Sequence, residues 1–182
     1  MLKKTHAVQF KGTVERQSEA IEQVDNPGDV SLVERGAPRS LVMRCPDGCG
    51  DILTVNLDRR AGPAWRLYQR EGGLTLFPSV WRDTGCGAHF IVWDNVIQWT
   101  NDAWILRRNS SLERAVEGRL TDELASFVDI AAAVDEVPWS VLDACRSLVN
   151  SGIAVEGTGA ERSSFRLASD SVQTSRARNR HW

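Results

Sequence analysis

The sequence has little excess charge and no long hydrophobic run, and both absences exclude classes of protein. Its 22 lysines and arginines are nearly balanced by 24 aspartates and glutamates, which gives a formal net charge of −2 over 182 residues. A chain with this balance is not drawn as a whole to nucleic acid or to an anionic membrane. No stretch approaches the roughly 18 apolar residues of a membrane span, and the first ten residues lack the apolar core of a signal peptide. We therefore expect a cytoplasmic protein with no membrane partner.

Familiar catalytic motifs are missing as well. The sequence contains neither a glycine-rich phosphate loop nor a Gly-x-Ser-x-Gly nucleophile elbow. Of its three histidines, His6 and His181 lie far from any acidic or nucleophilic motif. The sequence therefore gives no direct indication of an enzyme, and we expect a non-catalytic role more than a catalytic one.

Cysteine is scarce, yet three of the four cysteines fall in two short glycine-containing turns. Cys45 and Cys49 lie in Arg-Cys-Pro-Asp-Gly-Cys-Gly, and Cys86 and His89 lie in Cys-Gly-Ala-His. Thiolates and imidazoles are preferred zinc ligands, and a short spacing lets two donors from one turn reach the same ion. Three cysteines and one histidine would fill all four positions and leave none for a catalytic water. The pattern predicts a structural Zn²⁺ site; the alternative is two unrelated cysteine turns in a reduced protein.

The fourth cysteine, Cys145, lies in a helical pattern and resembles a small buried apolar residue, which makes a disulfide framework the weaker interpretation. Thiolate ligands and an unpaired cysteine both fit a reducing cytoplasm.

The hydrophobic periodicity changes near residue 110 and predicts an α+β protein. Residues 1–109 contain short period-two stretches between turn residues, which predict a mainly antiparallel β domain that holds the zinc. Residues 110–170 predict a winged-helix-like domain of helices and a β-hairpin, and residues 171–182 predict a disordered basic tail. The helices are expected at residues 111–127, 128–134 and 139–150, and the hairpin strands at 153–156 and 163–167.

Several residues are candidates for partner binding. Trp81 and Arg82 lie in a predicted non-periodic loop, residues 77–85, where the aromatic ring is either exposed for binding or covers the metal. Arg146 is the single cation on the exposed face of the third predicted helix. The remaining candidates are the tail arginines Arg176, Arg178 and Arg180.

The charge of the winged-helix-like segment bears on what it binds. Residues 128–168 carry six acidic and three basic side chains, a net charge of −3. A DNA-reading module gains much of its affinity from a basic face that neutralises phosphates. We therefore expect a protein partner, with weak nucleic-acid binding through the arginine tail as the alternative.

Several segments together resemble a small bacterial family of unknown function. They are the run 35–39, the cysteine turn at 41–50, the Pro-Ser segment at 74–80, the Cys-x-x-His-Phe turn at 86–90, and Trp99. Some members of that family are encoded beside bacterial ubiquitin-like conjugation genes of the E1, E2 and JAB peptidase type. The resemblance covers about residues 30–100, and it implies zinc ligands at the four positions above and a role in protein modification or its recognition.

Three functions stay open from the sequence. The favoured one is a structural-zinc adaptor of a bacterial cytoplasmic system such as ubiquitin-like conjugation, with E1-like, E2-like or ubiquitin-like proteins as partners. The second is a winged-helix DNA-binding regulator. The third is a zinc-dependent hydrolase acting on protein conjugates, which requires that one predicted ligand be absent so that the zinc has an open position.

Overall fold

The chain folds as an α+β protein with several sheets and four helices in its described part. The computed structural model describes residues 3–71, 73–104 and 106–169. The chain divides into two compact units, residues 1–104 and 105–182. The predicted basic tail, residues 171–182, lies outside the described residues. None of the helices in the described part has the length and apolar composition that a bilayer crossing requires.

The first unit contains two four-stranded sheets. One has the strand order β1-β2-β3-β4 and the other β5-β6-β7-β8. All pairs are antiparallel except β1 with β2, which are parallel and are connected through helix α1. The elements are β1 Gln9–Val14, α1 Gln17–Gln23, β2 Asp29–Glu34, β3 Pro38–Arg44, β4 Ile52–Asn56, β5 Arg66–Arg70, β6 Gly73–Trp81, β7 His89–Trp93 and β8 Val96–Trp99.

Strand β3 contributes to apolar clusters on both of its faces. Leu41 and Met43 belong to the main core, which also contains Phe90 of β7, whereas Val42 belongs to a second cluster with Ala20 of α1. This division follows from the alternation of side chains along a strand. A strand buried on both faces has few polar residues, and β3 has the run Leu-Val-Met at its centre. The main core therefore fixes the two sheets of this unit together.

The prediction of a loop at residues 77–85 is wrong in its first half. Strand β6 continues through Trp81, and its pairing with β7 resumes at Val80 and Phe90 after a register shift beyond Leu76. Pro78 has no N–H to donate to a β-ladder, so its presence in the sequence predicts the end of a strand. The irregular register accommodates the proline and lets the strand proceed.

The second unit contains three helices and a three-stranded antiparallel sheet with the order β10-β11-β9. The expectation of one helix over residues 111–127 is wrong: the first helix ends at Glu117, before Gly118, and Ser126 caps the next helix by accepting a hydrogen bond from the Asp129 N–H. The order of elements is the one on which the winged-helix prediction rests, and that assignment stays a prediction. The elements are α2 Ser110–Glu117, β9 Ala125–Ser126, α3 Phe127–Val134, α4 Pro138–Asn150, β10 Ala154–Glu156 and β11 Ser164–Leu167.

Candidate functional site

The hairpin of β6 and β7 brings a serine and a histidine to the same face of the second sheet. Trp81 and His89 are directly opposite each other in the ladder. Opposed residues share a face, and so do residues two apart on one strand. Ser79 therefore lies on the face that carries His89, one diagonal step away.

The two side chains are within hydrogen-bond distance. His89 Nε2 lies 3.1 Å from Ser79 Oγ. The backbone of each is held by a further contact: the Trp65 indole N–H donates to the Ser79 carbonyl at 3.2 Å, and the Thr100 N–H donates to the His89 carbonyl at 3.2 Å. An imidazole nitrogen at this distance from a serine hydroxyl is the geometry of a general base beside its nucleophile.

The aromatic neighbour of this pair is Trp81. Its ring centroid lies 6.0 Å from that of His89 with a tilt of 37°. The side chain is 68% exposed. Of the two alternatives that the sequence left for Trp81, exposure and covering of the metal, the structure shows exposure. An exposed aromatic ring therefore lies beside the serine and the histidine.

A second group of side chains, the cysteine cluster Cys45, Cys49 and Cys86, lies in the same unit. Their sulfur atoms are all within 4.8 Å of one another. Cys45 Sγ and Cys86 Sγ are 3.7 Å apart, and a tetrahedral zinc ion with Zn–S bonds of about 2.3 Å separates two sulfur ligands by about 3.8 Å. The donor set and its spacing therefore fit a metal ion that prefers thiolates.

Local backbone bonds form the two turns that carry these cysteines. In the first, the Cys45 N–H donates to the Asp51 carbonyl at 2.8 Å and the Gly48 N–H donates to the Cys45 carbonyl at 3.2 Å. In the second, the Arg82 N–H donates to the Ala88 carbonyl at 2.8 Å. Both turns thus begin where a core strand ends, which places their sulfurs at the edge of the main core.

Arg82 lies against the cysteine cluster. Its Nη1 is 3.6 Å from Cys49 Sγ, 3.5 Å from Cys86 Sγ and 2.6 Å from Asp51 Oδ2. This ion pair lowers the pKa of the Asp51 carboxyl, and the Asp51 hydrogen bond raises that of the Arg82 guanidinium. The positive charge of Arg82 also acts to lower the pKa of the Cys86 thiol.

The thiols themselves differ in acidity. Burial raises the pKa of the Cys45 thiol to about 12. For Cys86 burial acts in the same direction, but hydrogen bonds from the Ala88 N–H and the neighbouring cysteines, together with the Arg82 charge, leave its pKa below the ordinary value. Of these two thiols, Cys86 is therefore the more readily ionised.

The structure brings together three of the four predicted zinc ligands. The fourth, His89, is not in the cysteine cluster and has Ser79 as the partner of its Nε2. Of the predicted partner-binding residues, Arg82 is 17% exposed and faces the cluster, and Arg146 lies on α4. Arg176, Arg178 and Arg180 are outside the described residues.

The sequence reasoning did not single out Ser79. One signal was present: Pro78-Ser79 precedes His89 across a glycine-containing turn, and an antiparallel hairpin through that turn places both on one face. Because residues 77–85 were predicted as a loop, this relation was not apparent from the sequence.

Comparisons with known proteins add one finding. Residues 14–100, just under half of the chain, match the model of the family BubE, described as a bacterial ubiquitination-like system serine protease. The matched segment contains Ser79, His89 and the three clustered cysteines, and it links the chain to ubiquitin-like conjugation systems. No curated protein and no solved structure matches the chain.

Proposed function

We propose that this chain is a serine peptidase of a bacterial ubiquitin-like conjugation system, with Ser79 as nucleophile and His89 as general base. The observation that carries the proposal is the 3.1 Å separation of His89 Nε2 and Ser79 Oγ. The similarity of residues 14–100 to a family described as a serine protease supports it. The proposal takes the place of the adaptor function expected from the sequence.

The reaction follows from the two side chains. Ser79 Oγ attacks the carbonyl carbon of the scissile bond while its proton passes to His89 Nε2. The imidazolium then gives that proton to the leaving nitrogen, and an acyl ester remains on Ser79. Water attacks the ester with His89 again as base, which releases the carboxylate product and restores the hydroxyl.

The cysteine cluster has a different part in the proposal. Cys45, Cys49 and Cys86 would hold a Zn²⁺ ion, whose contribution is to tie together the turns at residues 45–51 and 82–88. The second turn joins β6 to β7 and so fixes the strand that carries His89. With His89 paired to Ser79, the three cysteines would leave the fourth position of the ion to another ligand. Because Ser79 and His89 supply the nucleophile and the base, no step of the proposed reaction needs that position.

The substrate class is a ubiquitin-like protein, either as a precursor extended at its C-terminus or as a conjugate. E1-like and E2-like proteins of the same system are further partners, and the system is a cytoplasmic one. The acidic second unit, if it is a winged helix, would serve as a protein-binding module, because its net charge of −3 over residues 128–168 opposes DNA binding.

A fluorophosphonate probe tests the nucleophile without knowledge of the substrate. A serine that is activated by a base displaces fluoride from the probe and keeps the phosphonyl group. We expect labelling of the full chain at Ser79, found by peptide mass spectrometry, and its loss in Ser79→Ala. Ser40→Ala, at a serine of β3 in the same unit, is the matched control and should label fully. Absence of label from Ser79 in the folded wild-type chain would overturn the proposal.

A further inference from the structure

A cavity of about 760 Å³ opens in the first unit. Its walls are the turn between β2 and β3, the segment that follows β4, and the start of β5. Trp65, Leu67 and Tyr68 give it apolar and aromatic surface. Its volume is in the range of ligand-binding clefts.

The charge of this cavity is strongly positive, although the chain as a whole is slightly acidic. Asp58 is the acidic residue of the lining, and it is held between Arg39, at 2.6 Å, and Arg60, at 2.9 Å. One carboxylate therefore offsets only part of the charge of its two partners. The arginines of the lining are Arg35, Arg39, Arg59, Arg60 and Arg66.

Three of these arginines have no acidic partner among the described residues: Arg35, Arg59 and Arg66. All three side chains are exposed. Clustered cations of one sign repel one another, and an anionic group that binds among them relieves this repulsion. Arginine also pairs with carboxylates in a bidentate geometry that lysine does not offer.

Strand β5 supplies the second element of a binding site. It is an edge strand of its sheet, and among the strands of the described residues it pairs with β6 alone, so an extended peptide can add to its outer edge by backbone hydrogen bonds. The cavity is also connected to the serine: Trp65 lines it and donates its indole N–H to the Ser79 carbonyl at 3.2 Å. Arg66 at the start of β5 is paired with Phe77 of β6, so this end of the strand lies beside the part of β6 that carries the nucleophile.

We propose that this arginine cavity binds an extended, acidic segment of the protein substrate and directs it to Ser79. The inference rests on the proposed peptidase function and specifies its substrate. A peptide fits the observations better than a nucleic acid does, because an edge strand offers N–H and C=O groups to another backbone.

Fluorescence anisotropy with the full-length Ser79→Ala protein measures binding without turnover. The probe is a fluorescein-labelled glutamate-rich peptide, and its comparison is the same peptide with glutamine at each glutamate. We expect the glutamate peptide alone to bind, and the double variant Arg35→Gln/Arg66→Gln to raise its Kd by about five- to thirtyfold. Arg119→Gln/Arg162→Gln, which removes the same charge from exposed arginines of the second unit, should change Kd less than twofold.

The outcomes separate this inference from the peptidase proposal. Three results would each overturn the inference of an acidic-peptide site. The first is equal binding of the glutamate and glutamine peptides, and the second is an equal loss of affinity in both double variants. The third is single-stranded nucleic acid that binds through Arg35 and Arg66 more tightly than the glutamate peptide does. These results leave fluorophosphonate labelling of Ser79 unaffected. Conversely, an unlabelled Ser79 with intact binding of the glutamate peptide would refute the peptidase and retain the arginine cavity as a site for acidic peptides.

Discussion

Replacement of His89 by glutamine distinguishes the two roles that this residue has been given, that of zinc ligand and that of general base. The structure places His89 Nε2 at 3.1 Å from Ser79 Oγ and leaves the histidine out of the cysteine cluster. If this arrangement governs function, His89→Gln should lose reactivity at Ser79 and keep the metal.

The magnitudes follow from what glutamine can and cannot replace. Its amide fills part of the imidazole volume but cannot accept a proton, and a positioned general base contributes about 10²- to 10⁴-fold to a rate. We therefore expect labelling by the fluorophosphonate probe to slow by that factor, or about 3–5 kcal/mol of activation free energy. Stability should fall by no more than about 1 kcal/mol, because the ring makes one tilted contact with Trp81 and is half-buried.

Cys45→Ser provides the contrast, since Cys45 is fully buried and belongs to the cluster. The free energy of structural zinc binding is folding free energy, about 10–16 kcal/mol in small zinc domains. The cysteine variant should therefore lose both metal and a cooperative thermal transition. Zinc per chain by elemental analysis, thermal unfolding and labelling rate are measured on both variants. Parallel loss of zinc in His89→Gln would refute the reassignment, and an unchanged labelling rate would refute the base.

The remaining predictions concern stability, thiol reactivity and DNA. Gly28 has φ +86° and an added Cβ would overlap the Ala7 carbonyl oxygen, so Gly28→Ala should lower the free energy of unfolding in urea by about 2–4 kcal/mol. The control Gly36→Ala, at φ +67° with open space around it, should lower it by only about 1 kcal/mol. Equal losses of stability would contradict the close contact at Gly28. Burial raises the pKa of the Cys145 thiol to about 12, so iodoacetamide near neutral pH should modify Cys145 only after unfolding; rapid alkylation in the native state, read by mass spectrometry, would show that the thiol is accessible. Binding to duplex DNA should be weak, steeply salt-dependent and abolished by deletion of residues 171–182; sequence-selective binding by the truncated chain would favour a DNA-binding regulator.

Most strands of the first unit were predictable because each has its own local signal. Val96–Trp99 and His89–Trp93 are short apolar runs on either side of Asp94-Asn95, and both central residues of that turn have positive φ, as a tight hairpin requires. The helix expected over residues 111–127 failed for the opposite reason: its apolar spacing continues past Gly118, yet a glycine and the capping serine at 126 end one helix and begin another. The spacing of apolar residues alone does not indicate where one helix ends and the next begins.

The candidate site was predictable only in part, because its two groups of residues differ in how sequence encodes them. Cys45 and Cys49 lie in one turn, so their spacing already indicates a shared ion, and Cys86 joins them as the sequence predicts. Ser79 and His89 meet through a strand register that a proline disturbs, and no spacing rule encodes that. A histidine three residues after a cysteine therefore predicts a metal ligand, and only the strand register reveals the serine beside it.

One member of the cysteine cluster, Cys86, lies in the turn of the hairpin that carries Ser79 and His89, and this position explains how the proposed peptidase could carry the cluster without using it in the reaction. Ser79 and His89 lie on opposite strands, so their separation depends on how the turn between those strands closes. That turn contains Cys86 and Arg82, and Arg82 reaches Asp51 in the other cysteine turn at 2.6 Å. Any ion bound by the cluster acts on the same turn, since one of its ligands is Cys86. The hydroxyl-to-imidazole distance thus depends on contacts outside the pair, and the roles proposed for Ser79 and His89 need no metal among their partners.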